Sequence, residues 1–165
     1  MKAFSIVGWS GSGKTTLISR LIESFTAGER RVVAVKGTHA GYALQPEGKD
    51  TARFLQAGAT EAYLLANGEM LRMTRLDDPG TLLAELEARL GAEDIVLLEG
   101  LTRPGIPVIE VKDPQRPEAL KTRPEELAAL VGAADGAPGR PRFGRDDIAA
   151  IGRFMEEYHG QPYQP

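Results

Sequence analysis

Residues 8–15 read Gly-Trp-Ser-Gly-Ser-Gly-Lys-Thr and stand between two segments of clear pattern. Residues 3–7 are an apolar run, which predicts a buried strand, and residues 15–25 carry apolar side chains at helical spacing. A glycine-rich loop between a strand and a helix lets successive backbone N–H groups point at one anion, to which the helix N-terminus adds the positive end of its dipole. The pattern G-x-x-x-x-G-K-[ST] in this setting predicts a phosphate-binding P-loop.

The residue types of this loop suit a nucleoside triphosphate with Mg²⁺. Lys14 supplies a mobile positive charge for the β- and γ-phosphates, which makes it a candidate catalytic residue, and the Thr15 hydroxyl is a hard oxygen ligand for Mg²⁺. The predicted nucleotide-binding residues of the loop are Gly8, Ser10, Gly11, Ser12, Gly13, Lys14, Thr15 and Thr16.

A second predicted metal ligand is Glu99, which ends the apolar run of residues 95–98. A core strand would prefer another hydrophobe at that position, and Gly100 lets the chain turn away beside the phosphates. The alternative is an ordinary strand-end carboxylate. We favour a catalytic Mg²⁺ site made by Thr15 and Glu99, because carboxylates in clefts usually have cationic partners.

The residues alone leave the base of the nucleotide open. An Asn-Lys-x-Asp loop selects guanine in many GTPases, but the only asparagine here, Asn67, is followed by Gly68. Asp135 follows a predicted strand and is a candidate to accept hydrogen bonds from guanine, although turns also recruit aspartate for their own geometry.

The remaining pattern alternates strands with helices and predicts a P-loop NTPase-like three-layer α/β sandwich with a mostly parallel sheet and some peripheral antiparallel strands. We expect one domain over residues 1–159 and a disordered tail over 160–165. Residues 127–134 suit a helix by composition and a strand by length, and we predict a strand. The other predicted strands are 31–36, 62–66, 69–76 and 107–111, and the other helices are 51–57 capped by Asp50, 79–90, and one capped by Asp146 or Asp147.

Composition excludes several classes of function. The 165 residues hold no cysteine, which rules out disulfides, thiolate zinc sites and cysteine nucleophiles. The net charge of -3 gives no global positive field for nucleic acid or an anionic membrane, so we expect neither partner. No apolar run is long enough to span a bilayer, and we predict a cytoplasmic protein.

Two further groups of polar residues are candidates for a site. Lys36, His39, Lys49 and Asp50 flank or lie in a long loop that should reach the ligand edge of the sheet, unless it is a solvated connection. Arg140, Arg142 and Arg145 form a basic group along the sequence that suits either a second phosphate or a soluble loop.

Three segments together resemble the MobB family of molybdopterin-guanine dinucleotide biosynthesis, over roughly residues 1–135. They are GWSGSGKTTL (8–17), VKGTHAGYALQPEGKDTARFLQAGA (35–59) and DIVLLEGL (94–101), followed by IEV at 109–111. The second is the most specific, since the family typically carries Lys-His-x-His-His and then Asp-x-x-Gly-Lys-Asp. Lys36, His39, Gly48, Lys49 and Asp50 match this pattern, whereas Gly37, Ala40, Gln45 and Thr102 depart from it.

The resemblance implies a Mg²⁺-dependent GTP-binding protein with weak GTPase activity, which assists the MobA-like guanylyl transferase that joins GMP to molybdopterin. It also implies a homodimer, and it makes Lys36, His39, Lys49 and Asp50 candidate molybdopterin or second-site residues. A small-metabolite P-loop kinase with an arginine-bearing lid is the competing function, and a binding module without hydrolysis is a third.

Overall fold

The structure, a computed structural model, describes residues 1–37, 49–76, 78–113, 115–116, 120–132 and 138–160, with only the backbone given for Lys49, Asp50 and Pro79. The chain divides into two compact units. The first comprises residues 1–37 and 91–165, and the second comprises residues 38–90. The predicted single domain over residues 1–159 stays a prediction. The predicted disordered tail, residues 160–165, also stays a prediction, because residues 161–165 lie outside the described part.

The first unit is built on a six-stranded sheet in the order β2-β5-β1-β6-β7-β8, and every pairing in it is parallel. Its strands are β1 Lys2–Val7, β2 Val32–Lys36, β5 Ile95–Glu99, β6 Val108–Val111, β7 Leu127–Val131 and β8 Arg142–Phe143. The central strands read as apolar runs because both of their faces are buried, as parallel sheets require. The predicted α/β fold with a mostly parallel sheet is confirmed.

Two helices of the first unit, α1 Lys14–Ala27 and α4 Ile148–Glu157, pack together against one face of this sheet. The spacing of apolar residues in both helices matches the helical period, so each presents one stripe to the core. This core contains Phe4, Ile6, Leu17, Ile18, Leu21, Phe25, Ile95, Leu97, Ile109, Val111, Ala129, Val131, Ile151 and Met155.

The second unit contains α2 Lys49–Gln56, the antiparallel hairpin of β3 Glu61–Ala66 and β4 Glu69–Thr74, and α3 Pro79–Arg89. The hairpin turns at Asn67-Gly68, where both residues have positive φ, as the sequence predicts. Helix α2 begins two residues earlier than expected, so Asp50 lies inside its first turn and is not its N-cap. Arg72 donates to Glu61 at 3.1 Å and to Glu85 at 2.8 Å, which links β4 to β3 and to α3.

Two short elements were not predicted. Strand β8 has only two residues, and it forms because Leu130 N–H donates to Pro141 O and Gly132 N–H donates to Phe143 O. A 3₁₀ helix, Pro124–Glu126, leads into β7. Neither is long enough to show a hydrophobic period, so the pattern of side chains carries no signal for them. In the described residues, no helix has the length and hydropathy needed to cross a membrane.

Candidate nucleotide-binding site

The P-loop follows β1 at the carboxyl edge of the parallel sheet, where ligands of such sheets bind. Gly8 has φ 148°, and a Cβ there would lie 2.4 Å from the Val111 carbonyl oxygen, so the loop passes too close to β6 for any side chain. Gly13, with φ 94°, is the N-cap of α1 and has no side chain to cap the helix. The first N–H groups of α1 are therefore open to an anion.

Lys14 lies against the loop that it follows. Its Nζ donates to the carbonyl oxygens of Gly8 at 3.0 Å and Trp9 at 2.8 Å. Burial lowers the pKa of Lys14 below its ordinary value, the charge of Glu99 raises it, and the charges of Lys121 and Lys36 lower it. The site therefore concentrates positive charge at the start of α1, and a polyphosphate would relieve the repulsion among these lysines.

Thr15, Glu99 and Lys36 meet at the same edge of the sheet. Glu99 is the last residue of β5, and the parallel register places it opposite Ile6 of β1 and Lys36 of β2. The Thr15 hydroxyl donates to Glu99 Oε1 at 2.9 Å, and the Lys36 ammonium lies 3.3 Å from the same oxygen. The structure thus brings together both predicted metal ligands and one residue of the predicted second site.

These two oxygen ligands suit Mg²⁺, which takes one or two protein oxygens together with phosphate oxygens and water. Among the described residues, no group of three or more His, Cys, Asp or Glu side chains is arranged to hold a metal ion. A metal at Thr15 and Glu99 would therefore rely on the nucleotide for most of its ligands.

The structure does not describe the side chains of four other predicted site residues, His39, Lys49, Asp50 and Asp135. His39 and Asp135 lie outside the described residues, as do the departures at Ala40 and Gln45. Lys49 and Asp50 open α2 in the second unit, and their side chains are likewise outside the described part. Their predicted roles stay predictions.

Gly37 departs from the family pattern, which has a histidine at this position, and the structure shows how little space a side chain would have there. A Cβ at Gly37 would lie 2.3 Å from Leu101 Cγ and Cδ2, so Leu101 occupies the space that a side chain at position 37 would need. Gly37 N–H donates to the Glu99 carbonyl at 2.9 Å, which keeps β2 and β5 paired up to the site. A histidine at position 37 would require Leu101 to move.

The three arginines predicted as a basic group take different positions. Arg145 donates to the carbonyl oxygen of Ser12 at 2.6 Å and to that of Lys112, which ties the P-loop to the end of β6. Arg140 donates to the Pro124 carbonyl at 3.1 Å, at the amino end of β7. Arg142 is an exposed residue of β8. Arg145 is thus a support of the P-loop that sequence reasoning missed, because nothing in the sequence showed which arginine reaches it.

A cavity of about 300 Å³ adjoins the P-loop on the helix side of the sheet. Its floor is apolar, with Leu17, Val111 and Val131, and its polar lining includes Thr16 and the pair of Arg20 with Asp146, 2.7 Å apart. Because the cavity also includes Gly13, it is continuous with the helix N-terminus. The volume lies at the lower end of the range of small-ligand pockets.

The chain is similar to proteins of one family. A family model described as molybdopterin guanine dinucleotide synthesis protein B matches residues 3–133. The molybdopterin-guanine dinucleotide biosynthesis adapter protein of Haemophilus influenzae is 37% identical over 158 residues, which cover 93% of this chain and 86% of that protein. The Escherichia coli protein of the same name is 29% identical over 140 residues, covering 83% and 68%. The crystal structure of Bacillus subtilis MobB matches with a TM-score of 0.72 and 27% identity, over 98% of this chain and 100% of that one.

Proposed function

The chain belongs to the MobB family, and we propose that it is a Mg²⁺-dependent GTP-binding adaptor of molybdopterin guanine dinucleotide biosynthesis that acts with a MobA-like guanylyl transferase. The observation that carries the nucleotide part is the contact of Thr15 with Glu99 at 2.9 Å beside the open N-terminus of α1. The site combines two hard oxygen ligands with a helix N-terminus that can bind phosphate. This combination favours a magnesium triphosphate over a free anion.

We place the phosphates on the N–H groups of residues 8–15 and on Lys14, with Mg²⁺ at Thr15 and Glu99. The cavity floored by Leu17, Val111 and Val131 is the proposed nucleoside site, because it continues from the helix N-terminus and has an apolar floor for a base. Asp135 remains the predicted guanine contact. Bound magnesium would neutralise charge on the phosphates, and Lys14 would orient the β- and γ-phosphates.

The proposed hydrolysis is slow. In the described part of the site, the carboxylate beside Thr15 is Glu99, and it already accepts from Thr15 and pairs with Lys36. A carboxylate held in this way is a poor base for an attacking water, and general base catalysis contributes about 10² to 10⁴ in rate. Weak GTPase activity fits a protein that presents a nucleotide or molybdopterin to another enzyme. The cytoplasmic location stays a prediction.

A titration with GTP and ATP in Mg²⁺, followed by reconstitution with the guanylyl transferase and molybdopterin, tests this function. We expect tighter binding of GTP, slow phosphate release, and more efficient dinucleotide formation when the adaptor is added. Lys49→Ala or Asp50→Ala should reduce this stimulation more than they reduce nucleotide binding. Rapid phosphorylation of an unrelated metabolite, with no effect on the transferase, would contradict the adaptor and favour the kinase.

We also propose a homodimer, formed through one face of the hairpin β3–β4. Leu65 and Met70 are paired across the two strands and are 74% and 63% exposed. Tyr63 lies on the same face, since side chains alternate along a strand, and it is 48% exposed. An exposed apolar group of this kind on a hairpin favours burial against another protein, and a second copy of the chain would bury two such groups at once.

Leu65→Lys should weaken this dimer. A charged side chain beside Met70, at the turn end of this face, would have to be desolvated in the interface, so we expect the dissociation constant to rise about tenfold or more. Sedimentation or light scattering over a range of concentrations measures it. Ala66→Lys is the matched control, because it adds the same charge to the opposite face of the hairpin. Equal effects of both variants, or a monomeric wild type, would contradict the proposed interface.

A further inference from the structure

The side chain of Arg145 lies where the P-loop, the end of β6 and the end of β7 meet. Its guanidinium donates hydrogen bonds to the carbonyl oxygen of Ser12, at 2.6 Å, and to that of Lys112. A Cβ at Gly13 would lie 2.9 Å from its Nη1 atom, and a Cβ at Gly132 would lie 2.8 Å from its Nε atom. The guanidinium is therefore close to the backbone of the P-loop and to the backbone that follows β7.

The backbone that carries this side chain is also held in place. The Arg145 carbonyl oxygen accepts a hydrogen bond from Arg20 Nη1 at 3.2 Å, and the same nitrogen lies 2.7 Å from Asp146 Oδ1. Just before it, the Gly144 N–H donates to Asp147 Oδ2 at 2.7 Å, in the turn that leads into α4. Arg145 is half-buried on a fixed backbone, so it has little conformational freedom left to lose when a ligand binds.

Arg145 is one of the residues that line the cavity of the proposed nucleoside site. The N–H groups of a guanidinium lie in its plane, so the bonds to Ser12 and Lys112 use its edge and leave its flat faces. Both acceptors are neutral carbonyl groups, which do not cancel its positive charge. Arg145 therefore brings a planar cation to a cavity whose floor is apolar.

We infer that Arg145 binds the base of the nucleotide by stacking its guanidinium on the face of the purine ring. A planar cation attracts the π electrons of an aromatic ring, and a guanidinium is weakly hydrated, so little water has to be removed from it. The inference rests on the proposed nucleotide binding and adds a base-binding residue to that site. Because every purine has such a face, Arg145 contributes affinity for the base without selecting guanine over adenine.

The test compares dissociation constants of the full chain for GTP, ATP and inorganic tripolyphosphate in Mg²⁺. Arg145→Lys keeps the positive charge and a donor for the Ser12 carbonyl but loses the plane. GTP and ATP binding should each weaken about tenfold, and tripolyphosphate binding should stay unchanged. Arg142→Lys is the matched control, because it makes the same substitution at an exposed residue of β8 that does not line the cavity.

NMR spectroscopy of the wild type is a second measurement, which does not depend on the folding of a variant. The ring current of a stacked base should move the signals of the Arg145 Cδ and Nε protons upfield when GTP binds, and tripolyphosphate should not produce this shift. The absence of the shift would overturn this inference and leave the proposed function intact.

The affinities decide between base binding and simple support of the P-loop. If Arg145→Lys weakens GTP and tripolyphosphate binding equally, or changes GTP binding no more than Arg142→Lys does, Arg145 does not bind the base. A wild type that binds GTP no more tightly than tripolyphosphate would also overturn this inference. A wild type that binds neither GTP nor tripolyphosphate would overturn the proposed nucleotide binding as well.

Discussion

Lys14→Ala is expected to weaken GTP binding by about a hundredfold while changing GMP binding little, because the ammonium serves the β- and γ-phosphates and the loop N–H groups serve the rest. Lys14 is partly buried, which lowers its pKa although the charge of Glu99 raises it, so water screens its interaction with an anion less than it screens that of a fully exposed lysine. Isothermal titration with GTP, GDP and GMP measures the three affinities on one preparation.

The nucleotide-free stability of Lys14→Ala separates a binding effect from a folding effect. The variant loses the hydrogen bonds to Gly8 and Trp9 but is relieved of a partly buried charge, so its melting temperature should stay close to that of the wild type. An equal loss of affinity for GTP and GMP would mean that Lys14 only shapes the loop, and the assignment of Lys14 to the β- and γ-phosphates would be wrong.

The parallel core of the fold could be predicted from sequence because its signals are local. The apolar runs that form β1, β5 and β6 are bounded by glycine or proline, and both faces of each strand are buried. A short continuous apolar run between turn residues is the expected pattern of such a strand, so the sequence showed all three. The contact of Thr15 with Glu99 also followed, since parallel strands end at one edge of the sheet. Glu99 ends β5 at that edge, and the P-loop that follows β1 there leads into α1, where Thr15 lies in the first turn.

The supports of the site could not be predicted, because they depend on contacts distant in sequence. Arg145 reaches Ser12 across 133 positions, and neither its neighbours nor its spacing distinguish it from Arg142. Glu110 is fully buried and accepts hydrogen bonds from two backbone N–H groups of the chain that follows β6. It did carry a signal, a lone charge inside the apolar strand Val108–Val111, which marks a buried carboxylate that must have partners. Which backbone supplies those partners is decided by the path of the chain after β6, where prolines remove any regular period.

The hairpin β3–β4, which is not part of the six-stranded sheet, could be predicted only in part. Its two strands pair antiparallel and form a sheet of their own, so the prediction of some antiparallel strands outside the parallel sheet was correct. The exposure of Leu65 and Met70 was not foreseen, because a hydrophobic pattern marks a face as apolar without showing what covers it.

Glu99→Gln should raise the Mg²⁺ concentration needed for half-maximal GTP binding by roughly 10- to 100-fold, the range found when groups that support a bound metal are replaced. Glutamine keeps an oxygen that can accept from the Thr15 hydroxyl, so the local geometry is retained while the negative charge is lost. Metal-free GDP binding should barely change, because the P-loop N–H groups and Lys14 are untouched. Glu93→Gln is the matched control, since Glu93 is an exposed carboxylate paired with Arg30 in the same unit. If the Mg²⁺ dependence of Glu99→Gln equals that of the control, Glu99 is an ion-pair partner of Lys36 and not part of a metal site.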